Sequence, residues 1–200
     1  MTVMKTTSSL IAVASGILLS LNLSAEDWPS WRGPSHQGSR AGKSYPTKWS
    51  AESVLWKVAL PGKGASCPVV WKDRIFVTTP EAGVDTVMAF DRGGKQVWKK
   101  TLGAERPAKH KKLGTSSNAS PVTDGKGVYV YFKSGNFAAL EMDGTVRWQR
   151  NLSEEFGPQE LYWDQGSSPV ILGDLVILPR LHGGDSWVAG FDTATGKIRW

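Results

Sequence analysis

Glu160 and Asp164 are the residues of this 200-residue chain with the most chemical potential: two carboxylates four positions apart, beside Gln165 and Gly166. Carboxylates brought together in this way can hold a hard cation, and the same residue types also serve at turns and strand starts, where they satisfy backbone groups. Cys67 is the sole cysteine, so no intrachain disulfide forms; the thiol is either reactive or a small buried filler. His36, His110 and His182 are scattered without ligand spacing, which speaks against zinc. Trp28 and Trp31 stand three apart, flanked by Pro29 and Pro34. In a polyproline-like turn both indoles would face one side, as a platform for a sugar or peptide or as an anchor packed on the side of the domain. Arg106, Lys109, Lys111 and Lys112 cluster around His110 with no aromatic among them, the pattern of a solvated loop and not of a nucleic-acid surface.

The elements that must position these residues come from a segment written three times, over about residues 63–100, 115–150 and 165–200. Each copy holds four short β-type runs and ends on a tryptophan: Trp98, Trp148 and Trp200. Pro68, Pro121 and Pro169 open the first runs, 53 and 48 residues apart, so length varies in loops while strands keep their spacing. Asp124-Gly125, Gly135-Asn136 and Asp143-Gly144 accept the positive φ of tight hairpin links, which makes each copy a four-stranded antiparallel meander. In the first copy the links are Trp71-Lys72-Asp73, a loop from Thr79 to Asp85, and Arg92-Gly93-Gly94. Cys67 takes the place of Ser167 at the start of an inner strand. A period near fifty residues built this way predicts an all-β β-propeller of four-stranded antiparallel blades, with the tryptophans packed between blades. Ser53–Val58 reads as a fourth strand lacking its first three. Residues 53–200 then supply about three blades of a ring of seven or eight, which needs about 350–400 residues. The expectation is an N-terminal piece of a longer protein.

Residues 1–25 have the layout of a secretory signal peptide: Lys5, an apolar stretch over Leu10–Leu23, and Ala25 at the cut. Removing it takes away Lys5 and lowers the net charge from +6 to +5. No cysteine lies near the cut, so the exported form, periplasmic or secreted, is not lipid-anchored through cysteine, and no transmembrane segment follows. Residues 26–52 form a Trp/Pro-rich leader.

The repeats resemble the pyrroloquinoline-quinone-like (PQQ-like) β-propeller family. Its pattern of alanine, a hydrophobic residue, aspartate, a Thr-Gly-Lys turn and tryptophan appears as Ala189, Phe191-Asp192, Thr195-Gly196-Lys197 and Trp200, and as Ala89, Asp91, Gly94 and Trp98 without the threonine. The second copy is more degenerate, with Leu140-Glu141 and Asp143-Gly144 before Trp148. The resemblance implies one of two functions. One is a cofactor-free binding or scaffold module for a protein, peptide or glycan partner, like the outer-membrane assembly lipoprotein propeller. The other is a PQQ- and calcium-dependent alcohol or sugar dehydrogenase. The second needs a cation-binding carboxylate and amide, for which Asn118, Glu160 and Asp164 are the candidates, a catalytic aspartate, and often adjacent cysteines, which this sequence lacks. The binding module is the expected function, with no catalytic residue assigned.

Overall fold

The computed structural model describes residues 26–39, 46–110, 112, 114–181 and 184–200. The expected signal peptide, Lys111 and His182 lie outside the described residues. Three antiparallel sheets follow one another along the chain. The first holds β1 (Val69–Trp71), β2 (Arg74–Glu81), β3 (Val84–Asp91) and β4 (Gln96–Ala104). The second holds β5 (Val122–Thr123), β6 (Val128–Tyr131), β7 (Asn136–Leu140) and β8 (Val146–Asn151), followed by the short helix α1 (Leu152–Phe156). The third holds β9 (Val170–Leu172), β10 (Leu175–Arg180) and β11 (Trp187–Asp192). Strands pair in chain order within each sheet, and β1, β5 and β9 contact one another across sheets, so the first strands are innermost.

The middle blade shows why its strands are apolar throughout. Val128 and Val130 of β6 pack toward the first blade against Val69, Phe76 and Val87. Tyr129 and Tyr131, one position out of phase, pack toward the third blade against Val176, Leu178 and Phe191. A strand alternates its side chains between two faces, so a strand with a blade on each side needs apolar residues at both parities. The third blade carries one buried face, and β10 alternates accordingly.

The blades are joined by indoles seated on glycines. The Trp56, Trp98 and Trp148 rings lie where a Cβ on Gly94, Gly144 and Gly196 would stand, at 2.6–2.7 Å. Their Nε1 groups donate to the carbonyls of Arg92 (2.7 Å), Met142 (2.9 Å) and Thr193 (3.0 Å) in the same turns. Each of these glycines has φ between +69° and +91°, so the turn demands glycine for its backbone as well as for the indole above it. Asp91 and Asp192 hold the turns by accepting from backbone N–H groups two to four residues ahead. In the middle blade this duty passes to Asp143, and Glu141 instead pairs through both oxygens with Arg147.

The structure differs from the sequence reading at several points. Thr79–Asp85 is not a loop: β2 runs to Glu81, Pro80 pairs opposite Asp85, and Ala82-Gly83 forms the turn with φ of +49° and +81°. Proline is tolerated because β1 pairs only with Arg74–Phe76, leaving β2 without an inner strand at Pro80, where the Gly62 segment passes instead. Ser53–Val58 forms no strand; a 3-10 turn spans Ala51–Ser53, and Trp56 alone takes the seat of a blade-ending indole. The last run of the third copy joins β11 through a bridge from Phe191 to Ile198 and the bond from Gly190 N–H to Trp200 O, not as a full strand. Gly190, not Ala189, therefore faces Trp200 as Ala89 faces Trp98 and Ala139 faces Trp148. The extra residue of this copy lies after Asp192, in the turn: Asp192 to Gly196 is four positions, against three from Asp91 to Gly94. Cys67 N–H donates to Ser120 Oγ (2.8 Å) and Ser120 N–H to Ser168 Oγ (3.0 Å), so the structural counterpart of Cys67 is Ser168 and not Ser167.

The leader runs along the inner strands and not on the side of the blades. Trp28 exchanges both backbone bonds with Val70 (2.8 and 2.9 Å), and Thr123 N–H donates to Pro29 O (2.9 Å). The chain then doubles back, with Gly33 buried against the Trp28 ring at φ +74°. The two leader indoles part: Trp28 is half-buried and Trp31 is exposed.

Two stability predictions follow from this packing. Gly144→Ala should destabilise the full-length protein by about 2–4 kcal/mol, from backbone strain plus the clash with Trp98. Gly83→Ala, with comparable φ and open space around it, should cost only about 1–2 kcal/mol; urea midpoints compare the two. The second concerns Asp85, whose carboxylate burial pushes up from 3.8 to about 6 against hydrogen bonds from Ser134 and Asn136. Between those values the folded state holds a proton that the unfolded state releases, so this group's contribution falls as pH rises from about 4 to 6. Asp85→Asn should remove a pH dependence on the order of 3 kcal/mol, read as the difference between wild-type and variant melting curves over that range.

Candidate functional site

The loops that precede the inner strands of the second and third blades are tied into one lobe. Lys133 Nζ donates to Pro107 O (2.6 Å) and forms an ion pair with Asp164 Oδ1 (2.5 Å), and both side chains are buried. Lys109 N–H donates to Asp164 Oδ2 (3.0 Å), and the Lys109 ammonium reaches Glu160 (2.9 Å) and Leu161 O (2.9 Å). Arg106 also pairs with Glu160. His110 Nε2 lies 3.0 Å from Tyr162 O, and its ring packs against Tyr162 and Trp163. Below, Arg180 binds the Phe156 and Gly157 carbonyls at the C-terminal end of α1 and fixes where this loop departs.

A cavity of about 580 Å³ opens between this lobe, the doubled-back leader and the inner strands. Its walls include Trp31, Arg32 and His36 from the leader, Asn118 before β5, and Trp163 and Gln165 before β9. Trp31 and Trp163 are more than half exposed, at 57% and 66%. Gln165 is 2% exposed; its Nε2 donates to Ser167 O, and its buried Oε1 has no partner. Arg32 donates to Gln37 O (3.0 Å) and lies over the Trp31 ring. His36 and Asp164 both hold positive φ, at +56° and +68°.

Asn118 and Asp164 meet at this cavity, with Asn118 Nδ2 donating to Gln165 O (3.0 Å); Glu160 does not line it. The hydrogen bonds from Lys109 and then Arg106 hold the Glu160 carboxyl down at about 2, and Asp164 is spent on Lys133. No group of three acidic, histidine or cysteine residues able to hold a metal occurs among the described residues. These carboxylates therefore do not fit a calcium site, and the quinone that such a cation would accompany gains no donor set from them. In the cationic run, read as a solvated loop, Arg106 and Lys109 are ion-paired with Glu160 and brace the lobe. Trp163, Arg32 and His36 were not singled out in the sequence as wall residues; the adjacent aromatics Tyr162-Trp163 just ahead of Asp164 are the sequence signal that could have found the wall.

The family described as Outer membrane protein assembly factor BamB matches residues 32–200, most of the chain. The chain belongs to this family of PQQ-repeat propellers. No curated protein matches it. Similar solved structures include the quinohemoprotein alcohol dehydrogenase from Comamonas testosteroni, at 20% identity and TM-score 0.59, covering 88% of this chain and 27% of that one. The quinohemoprotein alcohol dehydrogenase ADHIIG from Pseudomonas putida HK5 matches at 19% identity and TM-score 0.55, over 72% of this chain and 21% of that one. BamB from Moraxella catarrhalis matches at 22% identity and TM-score 0.51, over 72% of this chain and 41% of that one. These likenesses establish the β-propeller fold. The chain spans about a quarter of the length of the dehydrogenases and two fifths of that BamB. Among the described residues no helix is long and apolar enough to cross a membrane.

The buried ion pair governs whether the lobe stands. Lys133→Ala leaves Asp164 buried and unpaired, at an expected cost of about 3–5 kcal/mol. Limited proteolysis of the full-length variant should cut first within 106–114 or 157–166, while Lys109→Ala, at an exposed pair, should leave the pattern unchanged.

Proposed function

We propose that this protein is an exported binding module that presents its channel-side cavity to a protein, peptide or glycan partner and carries out no chemistry of its own. The observation that carries the reading is the cavity's composition: two exposed indoles and a buried, unspent amide oxygen, with its one carboxylate neutralised inside the wall. Binding sites of this volume pair apolar walls with a few fixed polar groups. The family's description as an assembly factor supports a partner-binding role, and the signal-peptide layout of residues 1–25 supports export, to the periplasm or beyond. The alternative, a PQQ- and calcium-dependent dehydrogenase, requires carboxylates free to bind a cation, and Glu160 and Asp164 are both committed to lysine or arginine.

The test pairs two measurements on the full-length protein. Arrays of glycans and peptides should yield a ligand whose affinity falls at least about tenfold in Trp31→Ala and in Trp163→Ala, a loss typical of a central aromatic anchor. Incubation with PQQ and calcium should give no reduction of an artificial electron acceptor with alcohols or sugars. Quinone-dependent turnover would contradict the reading.

A further inference from the structure

We propose that the inner edge of β9, at Ile171, takes an extended segment of a partner protein as an added strand; the inference rests on the binding-module reading and names the partner's chemistry. The site is the third member of a row. Val70, Thr123 and Ile171 each stand two places after the proline that opens an inner strand, Pro68, Pro121 and Pro169. Val70 and Ile171 also share their register: each is one pair in from a two-residue hairpin turn, opposite Ile75 and Val176. In an antiparallel pair every second residue turns both its N–H and its C=O away from the partner strand. At these positions the groups turned away face the channel.

The leader meets them at the first two blades. Val70 exchanges both bonds with Trp28 in an antiparallel bridge, its N–H donating at 2.9 Å and its oxygen accepting at 2.8 Å. Thr123 N–H donates to Pro29 O (2.9 Å). The leader then turns back, with Gly33 N–H donating to Ser30 O (2.9 Å), and goes no further along the row. At the third blade β9 ends its sheet, and neither Ile171 N–H nor Ile171 O meets a partner on this edge among the described residues. An open N–H and C=O, next in line after two positions that polypeptide already closes, is an edge that a further strand can join.

One residue supplies only two bonds, so side chains must supply the rest. A peptide added in the same sense as Trp28 places the residue after its bridging residue beside Val170, because antiparallel partners run in opposite order. Residues 167–170 line the cavity, so the segment leads into it, toward the exposed indoles of Trp31 and Trp163. Trp163 is steadied by the His110 ring at 4.7 Å and the Tyr162 ring at 4.8 Å between centroids. Such walls suit a large apolar side chain: main-chain bonds hold an added strand, and pockets for its side chains select it. A glycan also stacks on indoles; the open edge beside them is what favours a peptide.

Hydrogen exchange of the full-length protein, resolved to single amides by mass spectrometry, tests this with peptides selected from a random dodecapeptide library and resynthesised. In the free protein the Val70 and Thr123 amides should be protected while Ile171 exchanges freely. A selected peptide should slow Ile171 exchange at least about tenfold. N-methylation of its bridging amide, but not of the amides on either side, should weaken binding at least about tenfold. Trp163→Ala should lower affinity while leaving Ile171 protected at saturation. An Ile171 amide already protected in the free protein shows that another part of the chain covers the edge and overturns the inference. A library without a binder, or binding indifferent to every N-methylation, overturns it too. A glycan or peptide that is lost in Trp31→Ala and Trp163→Ala, and that leaves Ile171 exchange unchanged, overturns strand addition and leaves the binding-module reading standing. Quinone-dependent turnover removes both.

Discussion

An indole lying flat on a glycine of the next blade is the contact on which this structure depends. Trp56, Trp98 and Trp148 each fill the space over a turn whose glycine has positive φ, and each donates its Nε1 hydrogen to a carbonyl of that turn. The contact combines area burial, a satisfied polar tip and a backbone conformation that excludes side chains. It explains why the repeats keep tryptophan, glycine and a turn-holding carboxylate while much else drifts. Where the turn is one residue longer, between Asp192 and Gly196, the chain still sets the residue two before the aspartate, Gly190, opposite Trp200 and preserves the packing.

The outer ends of the blades are fixed in this way, and the cavity is made in the segments between blades. The loops before β5 and β9 are held together by the buried Lys133–Asp164 pair and the Glu160 network, which raises Trp163 beside the channel. The leader supplies the facing wall by pairing with β1 and folding back under Trp28. Neutralising Asp164 inside the wall leaves no uncompensated negative charge at that point of the cavity. Stability of the lobe and electrostatics of the cavity thus share one ion pair.

The repeat architecture was legible in the sequence because it is local: turn pairs such as Asp143-Gly144, prolines at strand starts and a closing tryptophan all lie within about fifty residues. What was not legible depended on partners distant in the chain. Pro80 reads as a loop residue until the shortness of β1 leaves it beside Gly62 and not beside a paired strand. Asp164 reads as a cation ligand until Lys133, 31 residues earlier, is brought against it. The wall of the cavity joins Trp31 to Trp163 across more than a hundred residues, and no periodic signal marks such a pairing. Cys67 is an exception: its counterpart Ser168 was legible, since both stand directly before a strand-opening proline, Pro68 and Pro169, and the bonds from Cys67 N–H to Ser120 Oγ and from Ser120 N–H to Ser168 Oγ follow that register.

The central claim is a division of labour among the tryptophans, with those closing the blades structural and those at the cavity free to bind. Oxidative footprinting of the full-length protein, read tryptophan by tryptophan by mass spectrometry, tests it most directly. The account predicts rapid modification of Trp31 and Trp163, at 57% and 66% exposed, slow modification of Trp148 at 9%, and protection of Trp31 and Trp163, not of Trp148, when a ligand found on the glycan and peptide arrays is added. Rapid oxidation of Trp148, or ligand protection that falls on Trp98 and Trp148 instead, would contradict it.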